Sequence, residues 1–343
     1  MHKTTRLAFI ATTAIAALTL VACSGGGTND STAAPAEDVK PTTLKLALNQ
    51  TEEHPSFIAL EAFGERLAEA TDGRWNIEVH PNSTLGDQAE YIQSVSSGVI
   101  DLAIVSAPQL ENVSKDFVVF SLPTVFDSID SQMEILADDE IVGDLYTSLE
   151  DSNSITVVGG FTQGARSVYV KDAAAEAPDD LAGKKIRVQE SPVFISMIEA
   201  LEASPTPMAF GEVYTGLQSG VIDGAENNEI SYFTQKHFEV APFFSYTRHL
   251  IGADFLIINT PTLDKMSEED RAAFDEGWEQ TWQEHTDLWA SETEEAIAGA
   301  EAGGATFTEV DGDAFVDALE PLLDKFITTD SQKALYDAIK GAQ

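Results

Sequence analysis

Basic side chains are scarce in this sequence: 19 Lys and Arg stand against 58 Asp and Glu, a net charge of −39 over 343 residues. Nucleic acid and anionic membrane surfaces carry the same sign, which excludes both as electrostatic partners. Cysteine is scarcer still. The single one, Cys23, leaves no disulfide, no thiolate metal site and no catalytic thiol within one mature chain. The six histidines never stand at i, i+4 or beside the cysteine, so the usual metal-ligand spacings are missing. Past residue 22 no apolar run approaches the roughly 20 residues that cross a bilayer. Gly159 to Gly164, "GGFTQG", has the glycine spacing of a phosphate loop, but Ala165 occupies the lysine position. No Gly-x-Ser-x-Gly elbow and no dinucleotide fingerprint follows a strand. Neither a metal nor a cofactor is expected. With only seven arginines in the chain, where each one sits carries information.

The N-terminus has a clear order of parts. Lys3 and Arg6 precede an uncharged, mostly apolar stretch from Leu7 to Ala22, too short for a spanning helix and suited to a secretory signal over residues 1–22. Leu20-Val21-Ala22-Cys23 resembles a bacterial lipoprotein box, which makes Cys23 the expected lipidation site. Residues 23–42 are rich in Gly, Ser, Thr, Ala and Pro, the composition of a flexible tether. The expected location is extracytoplasmic, with a lipid anchor on the outer face of the cytoplasmic membrane.

From Leu44 onward, alternating apolar strands and helices of ten or more residues predict an α/β fold of parallel βαβ units. Strands are expected at 44–48, 75–79, 100–105, 154–161, 166–170 and within 180–188, and helices at 57–70, 87–97 and 192–203. The pentapeptide Ser-Gly-Val-Ile-Asp occurs twice, at 97–101 and 219–223, each time after a helix-like stretch. In both copies the glycine reads as a helix stop and Val-Ile as the start of a strand. Two units of one build imply a two-lobed architecture with a ligand cleft between the lobes. The expected division is 43–163 plus 253–292 for one lobe and 164–252 plus 293–343 for the other. A helix from Ser267 to about Ala300, with Phe274, Trp278, Trp282, His285 and Trp289 at helical spacing, is long enough to brace both.

Arg187 lies inside the strand "KKIRVQES", and alternation turns it away from the face that buries Ile186 and Val188. Arg166 leaves a glycine-rich turn into another strand. Two guanidinium forks aimed at one cleft would hold a carboxylate through paired charge-assisted hydrogen bonds. The competing reading for each is an ion pair with a carboxylate of its own chain. Asn227 and Asn228 follow an apolar strand, at the carboxyl end where open α/β sheets bind ligands, and amides suit sugar hydroxyls. Asn49, Gln50 and His54 form the matching polar set after the first strand. Phe210 is placed to pack against a ring face or in the core.

Together these residues carry a resemblance. The run from Asp180 to Tyr232, with "LGDQAEYIQSVSSGVIDLAI" at 85–104, "SLPTVF" at 121–126, "GARSVY" at 164–169 and "HFEVAPFF" at 237–244, resembles the solute-binding subunits of tripartite ATP-independent periplasmic (TRAP) transporters. The resemblance implies a two-lobed binding protein, not an enzyme, that closes on a small anionic solute and delivers it to integral-membrane permease subunits. It implies that Arg187 takes the ligand carboxylate, that Arg166 and Asn227 assist, and that Phe210 lines the pocket. Gln163 and Asn228 on the same lobe, and Asn49, Gln50, His54 and Glu90 on the other, complete the expected contacts. The motifs look most like the subgroup that handles sugar acids such as hexuronates; another carboxylate (a dicarboxylate, an aldonate, a keto acid) is the alternative ligand. A secreted enzyme on acidic sugars, with Glu226 or Glu212 as acid or base, and a binding protein for an ATP-driven importer are the other readings.

Overall fold

The structure, a computed structural model, describes residues 41–343. The expected signal, Cys23 and all but the end of the tether lie outside the described residues. Nine strands form one mixed sheet: β1 (Thr42–Ala47), β2 (Trp75–His80), β3 (Leu102–Ser106), β4 (Ile155–Val170), β5 (Lys185–Val188), β6 (Ser204–Pro207), β7 (Gly224–Asn227), β8 (Phe243–Asn259) and β9 (Thr306–Glu309). Their order is β2-β1-β3-β8-β4-β7-β5-β6, with β9 beside β8. The flanks are parallel, as expected from the βαβ pattern. The centre is not: β4 and β8 run antiparallel to each other, β4 antiparallel to β7 and β8 to β3, while β9 lies parallel to β8.

These two central strands are also longer than expected. Residues 154–161 and 166–170 are one strand, because β4 and β8 pair from Ile155–Asn259 through to Val170–Phe243. The ladder is interrupted between Thr162 and Ala165, where the register shifts. Gly164 there has φ +63°, and a Cβ on it would stand 2.8 Å from the Trp289 indole nitrogen, so only glycine fits. On one side of this step β8 pairs with β3; on the other β4 pairs with β7 and β8 with β9. One sheet therefore serves two halves.

The repeated pentapeptide builds the same corner in each half. Gly98 and Gly220 take φ of +72° and +76°, the left-handed conformation that ends a helix. Val99 and Ile100 then donate to the Ser94 carbonyl, as Val221 and Ile222 do to that of Gly216. Asp101 closes the corner by accepting from the Lys45 amide at 2.9 Å, and Asp223 from the Lys185 amide at 2.9 Å. Val-Ile is thus the turn, not the strand, and β3 and β7 begin at Leu102 and Gly224. Ile100 and Ile222 are buried while Val99 and Val221 face solvent.

The helix Glu268–Ala302 starts at a Ser267 cap and runs 35 residues, roughly 50 Å at about 1.5 Å per residue. Its Phe274 and Trp278 pack on Phe63 of the helix Pro55–Ala70. Further along, Trp289 and Ala296 cluster with Ile230, and Gly299 and Gly303 leave room for Phe233 and Phe238. The helix spans both halves. The last helix, Asp330–Ala342, meets the segment 115–127 through Ser331–Asp116, Lys340–Asp127 and Gln343–Val125 contacts. That segment falls within the first expected lobe, whereas the helix falls within the second. Among the described residues no helix is long and apolar enough to cross a membrane, and no cluster could hold a metal ion.

Candidate ligand-binding site

The carboxyl ends of β1, β5 and β7 open on one cavity, and β4 and β8 form its floor. Arg187, Arg166, Gln163, Asn227, Asn228, Phe210, Asn49 and Gln50 all line it. Arg187 stands as strand alternation requires, with Ile186 and Val188 in the core and its own side chain only 4% exposed. Its Nε and Nη2 donate to the Met208 carbonyl at 2.9 and 2.7 Å, while Nη1 has no protein partner among the described residues. Among the described residues no carboxylate comes within ion-pairing distance. Burial draws this guanidinium down to about 10, against the pull of Glu226 and Tyr169, so it is still a cation at neutral pH. The Phe210 ring lies 5.7 Å from its Cζ and edge-on to His237, which is hydrogen-bonded to Tyr169 at 2.7 Å.

Arg166 differs in kind. Its Nε and Nη2 form a fork on the Glu226 carboxylate at 2.6 and 2.8 Å, Nη2 also donates to the Glu226 carbonyl, and Nη1 donates to Gln163 and Asn227. All five guanidinium N–H groups are matched. Burial raises the Glu226 carboxyl, but Arg166 and His249, whose Nε2 is 3.6 Å away, outweigh it and hold the pKa near about 2. The expectation of two arginines on one ligand carboxylate is corrected accordingly: Arg166 is fixed to its own chain, and only Arg187 has donors to offer. Glu226 is equally committed and Glu212 is exposed and off the cavity, which removes both as a general acid or base.

Arg166 in turn sets the amides. Asn227 Oδ1 accepts from Arg166, from the Asn228 amide and from Asn228 Nδ2, which leaves Asn227 Nδ2 without a protein partner at the cavity wall. Asn228 caps the helix Glu229–Thr234 through the Ser231 amide. Gln50 donates to Ser231 Oγ at 3.2 Å, and its Oε1 is buried without a partner.

Two expected residues stand elsewhere. His54 does not line the cavity: its Nδ1 accepts from the Ser56 amide to cap the helix Pro55–Ala70, and its ring packs against Trp289. Glu90 is exposed, and its carboxylate accepts from the Asp87 amide in a capping box. Other residues were missed. Gln109, Gln189 and Asp254 line the cavity and are buried. Asp254, alone in the apolar strand "IGADFLII", was detectable as the one charge within an otherwise apolar run. Burial pushes its carboxyl up to about 6 although Gln163 and Arg166 favour the charged form. Across the cavity mouth Ser106 donates to Gln189 at 2.6 Å, Asn112 to the Glu190 carbonyl at 2.9 Å and Ser191 to Glu111 at 2.5 Å. The two rims meet.

Buried histidines make the fold sensitive to acid. Burial lowers His54 and His237 to about 3 and His285 well below its ordinary value. Between the unfolded value near 6.5 and the folded one, the unfolded chain therefore holds protons that the native state lacks. Asp254, and to a lesser extent Glu111 and Glu229, are raised by burial and act in the opposite sense. Three histidines against these carboxyls leave the unfolded chain holding more protons than the native state near pH 6, so stability falls as the pH falls through that range. Calorimetric melting should show Tm falling from pH 7 to 5.5; a flat or rising Tm would contradict this balance.

The comparisons agree with the geometry. Residues 46–330 match the family described as bacterial extracellular solute-binding protein, family 7, and the chain belongs to that family. A solute-binding protein of Chromohalobacter salexigens is 35% identical over 292 residues, covering 84% of this chain and 86% of the relative. The solved TRAP periplasmic solute-binding protein of Anaerococcus prevotii, with bound α/β-D-glucuronate, is similar at a TM-score of 0.85 and 36% identity, covering 88% of this chain and 98% of its own. That of Xanthobacter autotrophicus, with bound β-D-galacturonate, has a TM-score of 0.83 and 31% identity, covering 88% and 100%. The protein is thus an extracytoplasmic solute-binding protein of TRAP type with the two-lobed α/β fold, and not an enzyme. Proteins of this type bind small anionic sugar acids and work with membrane permeases.

Proposed function

We propose that this protein captures a hexuronate, such as D-glucuronate or D-galacturonate, and presents it to TRAP permease subunits from a lipid anchor at Cys23 on the outer face of the cytoplasmic membrane. One observation carries the ligand reading: a buried guanidinium, Arg187, with a free Nη1 and no carboxylate partner among the described residues, facing a cavity walled by amides. The ligand's COO⁻ supplies the missing anion. Asn227 Nδ2, Gln50 Oε1 and Asn49 then meet hydroxyls, and Phe210 lies beside the ring. The uronates held by the two similar solved proteins support this class. The lobes are 43–163 plus 253–292 and 164–252 plus 293–343, apart from the last helix, and they close on the ligand through rim contacts such as Gln189 with Ser106. A ligand favours closure only by contacts it gains there.

The test is a melting-temperature screen over glucuronate, galacturonate, gluconate, succinate and glutamate. Uronates should raise Tm, and the rise should grow with the logarithm of ligand concentration once that exceeds Kd. No rise with any sugar acid rejects the proposal. The kinetics carry a second expectation. A net charge of −39 repels an anion at distances beyond the reach of Arg187. Salt screens that repulsion, with a Debye length of about 10 Å at 0.1 M. Stopped-flow association should then be faster at 0.1 M salt than at very low ionic strength, and an on-rate slowed by salt would reverse the argument.

A further inference from the structure

The cavity holds a second buried charge that the carboxylate dock does not use. Asp254 lies on β8, with β4 and β7 between it and Arg187 on β5, and its side chain is 4% exposed. Gln163 Nε2 donates to its Oδ1 at 2.5 Å; Oδ2 accepts no hydrogen bond from any described residue. The nearby Arg166 compensates this oxygen only in part, because its fork is closed on Glu226 and it donates no hydrogen bond to Asp254. Asp87 and Glu190 also line the cavity, but neither is buried, so solvent screens them. The result is a polarised site with an unpaired cation on one side and an unpaired acceptor oxygen on the other.

From this we infer that Asp254 sets the selectivity of the site: it accepts from a ligand hydroxyl far from Arg187 and excludes acids that carry a second carboxylate at that end. A hydroxyl donor satisfies Oδ2, whereas a second COO⁻ placed against it would put two anions in a site with little water to separate them. Uronates have one carboxylate and hydroxyls around the rest of the ring. Aldarates, the sugar diacids, have a carboxylate at each end. The inference rests on reading the cavity as a sugar-acid site, and it adds which member of that class is refused and by which atom.

The experiment is calorimetric titration of the purified protein with D-glucuronate, D-galacturonate, glucarate and galactarate, repeated on Asp254→Asn and on Asp254→Glu. The wild type should prefer the better uronate over either aldarate by at least about a hundredfold, and Asp254→Asn should narrow that ratio by at least about tenfold. Asp254→Glu, which keeps the charge, should retain most of the discrimination. Should the Asn variant fail to fold, Asp254→Ser removes the same charge with less bulk. A wild type that binds an aldarate as tightly as a uronate overturns the inference whatever the variants do, and so does a neutral variant with an unchanged ratio. In either case the sugar-acid reading survives. A wild type that binds none of the four acids overturns that reading, and the inference falls with it.

Discussion

Arg187→Ala removes uronate binding while the protein stays folded. The expected loss is about 2–5 kcal/mol, roughly 30- to 4,000-fold in Kd, the usual consequence of leaving one partner of a buried hydrogen-bonded charge pair alone. The contacts that Arg187 makes within the chain explain why folding is spared. Arg187 is a buried cation without a counter-ion, bonded only to the Met208 carbonyl. Its removal leaves one carbonyl unsatisfied but relieves the desolvation that already draws its pKa down to about 10. Melting of the ligand-free variant should therefore stay near that of the wild type, and the uronate-dependent rise in Tm should vanish. Arg187→Lys keeps the charge and loses the fork, so its affinity should fall well short of the wild type. An alanine variant that binds glucuronate and galacturonate as the wild type does would remove the basis of the proposed site.

Arg166→Ala has the opposite signature. Glu226, fully buried, would lose the guanidinium that holds it ionised, and breaking a buried pair from one side costs about 3–5 kcal/mol. That is a fall in Tm of roughly 5–8 °C for a folded body of about 300 residues, at about 2.1 cal/mol/K of unfolding entropy per residue. Gln163 and Asn227 lose their shared donor in the same step, so the amide wall loosens and binding weakens as a secondary effect. Replacing both partners, Arg166→Met with Glu226→Leu, should recover much of the stability without restoring affinity, because no uncompensated charge is left while the amides stay unanchored. If the single and double variants melt alike, the pair is not the element that Arg166 contributes.

Much of this was legible in the sequence because it is local. Strand alternation placed Arg187, helix–strand alternation predicted the sheet, and the twin pentapeptides marked equivalent corners in two halves. What escaped depends on partners far away in the chain. Arg166 and Glu226 are 60 residues apart, so nothing in "GARSV" marks its guanidinium as already matched. His54 reads as a polar group after a strand and Glu90 as a further contact of the same lobe, but each is taken by a helix start, Glu90 as the third residue of a capping box and His54 as the cap itself. A capping-box pattern, Asp87 with Glu90, was present and outweighed the binding role. Asp254 stands out as a lone charge in an apolar strand, but such a strand reads as core, and the charge acquires a role only when the strand is seen to floor a cavity.

The interruption of the ladder where β4 meets β8 bears on how the two halves can move. Backbone pairing is already missing between Thr162 and Ala165, so rotation there need not rupture any amide-to-carbonyl bond of the sheet. Deuterium uptake in the flanking stretches of β4 and β8 should be the same whether or not a sugar acid is present, and protection should change only along the segments 106–112 and 189–191 that touch across the mouth. The sheet then acts as a leaf spring with a weakened point built in, and the work of opening falls on a few rim contacts.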